Sequence, residues 1–349
     1  MGNRPLFVVL AFLICGTFHK TNAQDAQFSQ FFAAPVYHNP AFAGGAFAPR
    51  LVMNYRNQWP SLDANFQTTS FSVDHHLESL NSGIGISFLD DQQGINRLRN
   101  SQVALQYSYM IKATDDFFIR FGLQGAYAIN QTTSTANLIF GDQLNANGLT
   151  GNPTADPLKS STGNQFSYAD FSSGLLLYNK DLWIGLTANH LTRPNVAINR
   201  SDVSNLPIKY TLTGGVNIPL TNPYSSAGLA SKEFMVTAAF ILQKQASSTL
   251  FSLGSYLTYS PLTIGLWYRG LPVRREGGSF LNNDAFIGLI GYRMDNFSIG
   301  YSYDLTISPL RGTTGGSHEI SISYQLDKIQ KNIPFYKQRR REELSCPKF

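Results

Sequence analysis

Adjacent pairs of titratable residues are the places where this chain could carry out acid–base or metal chemistry. The pairs are His75–His76 and His318–Glu319. Both lie in stretches of alternating residues that predict β-strands, in which successive side chains point to opposite faces. Neither pair can therefore act on one substrate, and spacing supplies no third metal ligand. The G-x-S-x-G motif of a serine nucleophile is also absent from the sequence. The sequence predicts no catalytic residue, no metal site and no cofactor, and hence not an enzyme.

Apolar and polar residues alternate along most of the chain. The clearest runs are Val103 to Ile111, Phe117 to Ile129 and Ile208 to Ile218, where most alternate positions are apolar and most of those between are polar or small. This period of two predicts strands with one apolar face. It gives fourteen antiparallel strands, several as long as the roughly 9–11 residues that a tilted strand needs to cross a membrane. The predicted strands are 50–57, 66–76, 82–90, 100–112, 116–130, 165–178, 181–190, 206–218, 232–243, 249–259, 261–270, 284–294, 295–305 and 317–326.

The composition matches strands whose outer face meets lipid. Only 14% of the residues are charged, against about a quarter in typical soluble domains, whereas Gly (29), Tyr (17) and Phe (25) are plentiful. No stretch reaches the roughly 18 consecutive apolar residues of a membrane helix. We therefore predict an all-β fold, a transmembrane outer-membrane β-barrel of about 14 antiparallel strands in residues 50–326.

Residues 1–49 precede the predicted barrel and divide into two parts. Residues 1–23 have a basic Arg4, an apolar run of about ten residues and a small residue at Ala23, which predicts a cleaved secretory signal peptide. Residues 24–49 are aromatic and nearly uncharged. Pro35 and Pro40 exclude a regular helix or a central strand there, so we expect an ordered irregular segment. It either plugs the barrel or lies at its periplasmic mouth, or it is a loosely held terminus with aromatic anchors.

The net charge of +5 is concentrated at the C-terminal end. The predicted tail, residues 327–349, holds seven basic and three acidic residues, whereas residues 24–326 hold 18 basic and 19 acidic ones. No basic stripe remains for phosphate groups, so no nucleic-acid partner is predicted. Arg339, Arg340 and Arg341 either dock an acidic or peptidoglycan-bound partner or form a solvated tail. Cys346, the only cysteine after signal removal, predicts an intermolecular disulfide or another covalent role, with an inert exposed thiol as the alternative.

Long and short connections alternate along the predicted strands, as they do in outer-membrane barrels. If the first strand runs outward, the long connections lie outside, with exceptions at 219–231 and 244–248. With an even number of strands, this alternation of connection lengths predicts that both termini face the periplasm. It also predicts that Arg56 and Trp59 lie near the external rim. The predicted outer connections are 89–99, 131–164, 191–205, 271–283 and 306–316, and the inner turns are 113–115, 179–181, 260–261 and Asp295.

Several short motifs, in this order, resemble one protein family. They are Gln27-Phe28-Ser29-Gln30, Tyr37-His38-Asn39-Pro40-Ala41-Phe42-Ala43-Gly44, Tyr55-Arg56-Asn57-Gln58-Trp59-Pro60, Ser82-Gly83-Ile84-Gly85, Tyr301-Ser302-Tyr303-Asp304, Gly315-Gly316-Ser317-His318-Glu319-Ile320 and the terminal Cys346-Pro347-Lys348-Phe349. With them, essentially the whole mature chain resembles the PorP/SprF proteins associated with type IX secretion and gliding in Bacteroidetes.

The resemblance implies a non-catalytic outer-membrane barrel that serves a protein secretion or motility machine. It implies partners among the periplasmic or lipoprotein components of that machine and, in the gliding branch, a large surface adhesin as cargo. Outer-membrane lipid surrounds such a barrel. The candidate plug or partner-contacting residues are Gln27, Phe28, Ser29, Gln30, Tyr37, Asn39, Pro40, Gly44 and Gly45, of which the two glycines permit a turn into the first strand.

Two functions from different classes follow. The first is a scaffold of the type IX secretion system that anchors periplasmic or lipoprotein components through its inner turns and tail and supports export or surface attachment of cargo. The alternative is a passive channel or hydrophobic-ligand transporter, because a 14-stranded wall encloses room for a lumen or a ligand. A barrel plugged by residues 24–45 would conduct ions poorly, so conductance separates the two.

Overall fold

Fourteen strands form a closed barrel in the structure, a computed structural model that describes residues 25–94, 98–132, 139, 141–145, 148–155, 165–197, 203–220, 234–274 and 281–326. Neighbouring strands are antiparallel, and β1 (Arg50–Gln58) closes the barrel by pairing with β16 (Ser317–Gln325). A separate hairpin of β6 (Leu144–Asn145) and β7 (Gly148–Leu149) lies between β5 and β8 in the chain. The other wall strands are β2 Phe66–Leu77, β3 Ser82–Gln93, β4 Leu98–Lys112, β5 Phe118–Thr132, β8 Gln165–Tyr178, β9 Leu182–Asn189, β10 Lys209–Pro219, β11 Phe234–Gln245, β12 Ser248–Tyr259, β13 Leu262–Arg274, β14 Leu281–Met294 and β15 Phe297–Thr306.

The predicted fold class is confirmed, and each predicted strand is present with ends that differ by at most four residues. The connections predicted at 89–99 and 271–283 are shorter than expected, because the strands beside them run further. In the first of these, Arg99 Nε lies 2.7 Å from Asp90 Oδ1, and Ser101 Oγ donates to the same oxygen at 2.6 Å. Cross-strand pairing of polar side chains thus extends β3 and β4 beyond the apolar stretch.

The two faces of the wall differ in polarity, as the alternation predicts. On β4, Leu105 is 64% exposed on the outer face, whereas Gln106 and Ser108 are buried on the inner face. The same arrangement holds on β5, where Leu123 points outward and Arg120 inward. Among the described residues, no helix is long and apolar enough to cross a membrane.

The N-terminal segment, residues 25–48, is an ordered series of short turns. A 3-10 turn at Phe31–Ala33 is followed by a one-turn α-helix at Pro35–His38 and a second 3-10 turn at Pro40–Phe42. A proline begins each of the last two, because its missing N–H is tolerated at the first position of a helix and nowhere further along. The expectation of an ordered irregular segment is confirmed.

The barrel has two rims, end A and end B. End A is the rim where β1 begins and β16 ends, and it includes Arg50, Leu77, Ser82 and Gln325. End B is the opposite rim, which includes Gln58, Phe66, Gln93 and Leu98. The short turns 179–181, 260–261 and 295–296 all lie at end A.

Candidate functional site

The N-terminal segment lies inside the barrel and extends from end B to end A. At end B, the Asp25 carboxylate is 2.8 Å from the Lys209 ammonium, at the first residue of β10. At end A, Leu326 N donates to Pro49 O at 2.9 Å. Between these points residues 28–48 are buried, except for half-buried Phe32 and Tyr37. The segment therefore occupies the lumen along most of its length.

Three glycines of the wall allow the segment to approach the sheet closely. A Cβ atom added at Gly122 would lie 2.1 Å from Ala41 N, and one added at Gly83 would lie 2.0 Å from Ala43 O. A Cβ at Gly174 would lie 2.0 Å from Asn39 Oδ1. Such distances are far shorter than a van der Waals contact, so only glycine fits. Residues 39–43 lie in a groove that these missing side chains create, the glycine groove.

Polar groups of the wall satisfy the backbone of the segment in this groove. Ala43 O accepts from Ser108 Oγ and from Arg120 Nη2, both at 2.7 Å. Gly44 N donates to Asp74 Oδ2 at 2.8 Å. A buried backbone polar group without a partner is costly, so these bonds allow an irregular chain to remain inside a barrel.

Two carboxylates and two guanidiniums of the wall surround Ser29. Arg56 Nη2 and Arg269 Nη2 lie 2.8 and 2.9 Å from Asp304 Oδ2, and Arg56 Nη1 lies 3.1 Å from Glu319 Oε2. Ser29 Oγ donates to Asp304 Oδ2 at 2.7 Å and accepts from Arg56 Nη1 at 2.6 Å. All four charged side chains are at most 4% exposed. Buried charges persist only when paired and hydrogen-bonded, and Ser29 completes this pairing.

Glu319 also holds the backbone of the segment. Ser29 N donates to Glu319 Oε2 at 2.7 Å, and Gln30 N donates to Glu319 Oε1 at 3.0 Å. The Gln30 side chain donates to Ser302 Oγ at 3.2 Å and accepts from Ser321 Oγ at 2.6 Å. Hydrogen bonds to a charged acceptor are stronger than neutral ones, so one carboxylate fixes two consecutive residues of the segment.

Aromatic side chains fill another part of the lumen. The Phe31 ring centroid lies 5.1 Å from that of Trp267, and the Phe32 centroid lies 5.6 Å from that of Trp183 and 5.7 Å from that of Tyr256. The three wall residues are at most 2% exposed. The two Phe32 contacts are edge-to-face and the Phe31 contact is tilted, and such aromatic pairs add to the free energy gained by burying the rings.

A charged cluster holds the first described residue at end B. Asp25 Oδ2 lies 2.9 Å from His190 Nε2, and His190 Nδ1 lies 2.8 Å from Asp170 Oδ2. Burial lowers the pKa of His190, but Asp25 and Asp170 outweigh burial and raise this pKa to about 9. Burial likewise raises the pKa of Asp25, but Lys209 and His190 outweigh it and hold this pKa below its ordinary value. The cluster is therefore charged at neutral pH.

One family model matches most of the chain. The model described as type IX secretion system membrane protein PorP/SprF matches residues 20–324. The chain belongs to the PorP/SprF family. The resemblance given by the short motifs is confirmed, and this PorP/SprF protein is a membrane component of the type IX secretion system with the fold of an outer-membrane barrel.

Solved structures that resemble this PorP/SprF barrel include the toluene transporter TbuX of Ralstonia pickettii, with 10% identity over 84% of this chain and 93% of TbuX and a TM-score of 0.47. The toluene transporter TodX of P. putida is 12% identical over 82% of this chain and 92% of TodX, with a TM-score of 0.44. A FadL homologue of Pseudomonas aeruginosa is 13% identical over 84% of this chain and 94% of its own, with a TM-score of 0.39. No curated protein matches the sequence.

The candidate plug or partner-contacting residues of this PorP/SprF chain contact different parts of the barrel wall. Ser29 and Gln30 meet the buried ion pairs, whereas Asn39 and Gly44 meet the glycine groove. Gly44 has a φ of +68°, the left-handed conformation that a turn before β1 requires. Phe28, Pro40 and Gly45 are buried, and Gln27 and Tyr37 are half-buried. The predicted signal peptide, Arg339, Arg340, Arg341 and Cys346 lie outside the described residues.

The predicted position of Arg56 at the external rim needs a correction. Its side chain is 1% exposed and points into the lumen, because Arg56 is on the inner face of β1. Trp59 follows the last residue of β1 at end B, and its ring packs edge-to-face on Phe66 with centroids 5.5 Å apart. Of the two predicted rim residues, only Trp59 therefore has its side chain at the rim.

The first and last described residues, Asp25 and Leu326, lie at opposite rims of the barrel. Asp25 contacts His190, Lys209 and Gln245, all at end B, whereas Leu326 is at end A. The segment thus begins near one rim and enters β1 at the other. The prediction that both termini of the mature chain face the periplasm stays a prediction, because Gln24 and residues 327–349 lie outside the described residues.

Sequence reasoning did not identify several residues that hold the segment. Asp304, Glu319 and Arg120 lie on the inner face of the wall, and the alternation along their strands does not indicate which residues they contact. His190 and Lys209 lie at strand ends at end B. No local motif marks them, because their partner Asp25 is 165 and 184 residues away in the chain.

Proposed function

We propose that this PorP/SprF barrel is a non-catalytic scaffold of the type IX secretion system that acts by binding partner proteins and not by conducting solutes. The observation that carries this proposal is the burial of residues 28–48 in the lumen, held by the ion pairs around Ser29 and by the glycine groove. A barrel filled by its own chain acts through the surfaces at its two rims.

The proposed partners differ between the two rims. Family membership supports partners within the secretion machine. Periplasmic or lipoprotein components would bind the short turns of end A together with the basic tail, where Arg339, Arg340 and Arg341 offer positive charge to an acidic surface. Cargo, such as a large surface adhesin, would be retained at end B.

The first test of this role compares the surface and secreted proteomes of a deletion strain and its parent. Broad loss of exported proteins is expected of a core secretion component, and loss of one large adhesin is expected of a dedicated partner. An unchanged proteome would contradict the scaffold proposal.

The tail is tested by deleting residues 328–349. We expect the truncated barrel still to insert into the membrane. A pull-down with it should recover less of the secretion machinery than a pull-down with the full chain. Cys346→Ser examines the disulfide alternative separately, because it should remove a high-mass band on a non-reducing gel. Unchanged recovery after the deletion would exclude the tail as a docking element.

The channel or hydrophobic-ligand transporter alternative is tested by ion conductance in planar bilayers. The scaffold proposal expects little steady current from the intact protein and a larger current when residues 25–45 are deleted. A large steady current from the intact protein would instead favour the channel alternative.

A further inference from the structure

A cavity remains at end B beside the N-terminal segment. Its volume is ≈ 300 Å³, and Asp25, Ala26 and Tyr37 form one of its sides. The rest of its lining comes from β3, β4, β5, β8, β9, the connection that follows β9, and Lys209 at the start of β10. The volume lies at the lower limit of small-molecule sites, which span roughly 300–1,000 Å³. The ion pairs and the glycine groove that hold residues 28–48 do not line it.

Three polar atoms of the cavity-lining residues have no hydrogen-bond partner among the described residues. They are Asn100 Oδ1, Asn189 Oδ1 and Ser172 Oγ, and Ser172 is 2% exposed. Two of the three are amide oxygens, which can only accept hydrogen bonds. A ligand that complements them must therefore supply several hydrogen-bond donors.

Aromatic rings lie on the same lining. Phe166 and Tyr168 stack with their centroids 6.3 Å apart and an interplanar angle of 27°, and both line the cavity together with Tyr37. Rings of this kind offer an apolar face to a ligand that also carries polar groups. An entirely apolar ligand would leave the amide oxygens unpaired, at a cost.

The lining carries three acidic and three basic residues. The acidic residues are Asp25, Asp91 and Asp170, and the basic ones are Arg99, His190 and Lys209. Asp25 pairs with Lys209 and His190, Asp170 pairs with His190, and Arg99 pairs with Asp90 beside the cavity. Asp91 accepts a hydrogen bond from Thr68 at 2.6 Å. Because Arg99 is taken up by Asp90, Asp91 has only neutral hydrogen-bond donors among the described residues. The lining therefore offers no unpaired positive charge to an anionic ligand.

We propose that this cavity binds an uncharged sugar unit, such as a neutral residue of a glycan. Sugar hydroxyls donate to Asn100 Oδ1, Asn189 Oδ1 and Ser172 Oγ, and the C–H face of the sugar ring packs on Phe166 and Tyr168. Sugar binding at this site would be additional to the scaffolding role, which does not require it.

The test is saturation-transfer difference NMR on the full barrel with glucose, N-acetylglucosamine and maltose as probes. The protein is kept in lauryldimethylamine oxide, because a maltoside detergent would compete for the site. Asn100→Leu removes an acceptor and Tyr168→Leu removes an aromatic face. The matched control is Asn57→Leu, since Asn57 also has a buried unpartnered amide oxygen but does not line the cavity.

The proposal expects saturation transfer to at least one of the three sugars. Binding should weaken about tenfold in Asn100→Leu and in Tyr168→Leu, the effect of losing one good contact, and should be unchanged in Asn57→Leu. Only variants that keep the heat-modifiable gel mobility of a folded barrel are compared. A tri-alanine peptide with acetylated and amidated ends serves as an uncharged probe that is not a sugar. No transfer to any sugar, equal transfer in the cavity variants, or transfer only to this peptide would overturn the proposal.

Discussion

Buried ion pairs explain how a polar segment can stay inside this barrel. Arg56 is paired with Asp304 and Glu319, and Ser29 of the segment bonds both Arg56 and Asp304. Each charge on its own would be costly to bury, so the arrangement depends on every member being present. The residues that pair the wall charges are therefore also the residues that hold the segment.

Replacing Glu319 by Gln should destabilise the barrel strongly. The change leaves Arg56 with one carboxylate fewer and weakens the bonds to two backbone amides of the segment. Breaking a buried ion pair costs roughly 3–5 kcal/mol. Urea unfolding in detergent, followed by tryptophan fluorescence, measures the change. The matched control is His318→Gln on the exposed face of the same strand, where we expect a change within about 0.5 kcal/mol. Equal losses in both variants would contradict this account.

The end B cluster should make the start of the segment sensitive to pH. The pKa of His190 is raised from 6.5 to about 9, so its stabilising contribution is complete below pH 6.5 and is lost as the pH rises through about 9. The pKa of Asp25 is lowered from 3.8, so its contribution is present above that value and is lost as the pH falls through the lowered pKa. We expect the start of the segment to be held best between these limits.

A spin label at Ala26→Cys, in a Cys346→Ser background, measures this effect. Its mobility should rise between pH 7 and pH 10 in the parent, because His190 loses its charge beside Asp25 and Asp170. In His190→Gln the label should already be more mobile at pH 7, and its mobility should change less as the pH rises. The same pH response in both proteins would assign the change to another group, such as Lys209.

At the level of single residues, the sequence predicts which face of the wall a side chain lies on better than it predicts which residues that side chain contacts. The alternation of apolar and polar residues along β4 and β5 predicts that Gln106 and Arg120 face the lumen, and both are buried there. The same rule, applied to Arg56, would have placed it in the lumen also, but its position near a strand end led to the rim prediction. Pairing partners were not predictable, because Arg56 and Glu319 are 263 residues apart in the chain.

At the level of elements, the strands were predictable and the inner segment was not. A strand of this barrel has lipid on one side, and this imposes a period of two that is visible in sequence. The segment has protein on all sides, so its residues show no period. The prolines alone indicated its irregular form, and the path of the segment along the lumen depends on glycines of distant strands.

Gly122→Ala should displace the segment from its groove without opening the wall. The added Cβ would lie 2.1 Å from Ala41 N, whereas β5 keeps its ladders to β4 and β8. The matched control is Gly125→Ala on the outer face of the same strand, where the nearest atom would be a Phe171 carbon at 3.5 Å. We expect a larger ion conductance in planar bilayers for Gly122→Ala only. Equal conductance in the two variants would mean that the groove does not position the segment.

At the level of the whole molecule, the direction of the segment links the two rims. Asp25, the first described residue, lies in the charged cluster of end B, and the segment then crosses the lumen and enters β1 at end A. A connection between rims that is fixed at both ends resists removal from either side. Pulling on the start of the segment would have to break the Asp25 cluster and then the ion pairs around Ser29. This favours a permanent filling of the barrel over a movable gate.

The orientation of the barrel decides which compartment the cavity and Asp25 face. Short turns at end A favour a periplasmic position for that rim, so end B should lie outside the cell. Single cysteines in a Cys346→Ser background test this with a membrane-impermeant maleimide on intact cells. Val203→Cys, at a position 80% exposed beyond β9, should be labelled in intact cells. Lys180→Cys, in the exposed turn between β8 and β9, should be labelled only after lysis. The reverse pattern would place the sugar-binding cavity and Asp25 in the periplasm, and the proposed surface cargo would then have no access to end B.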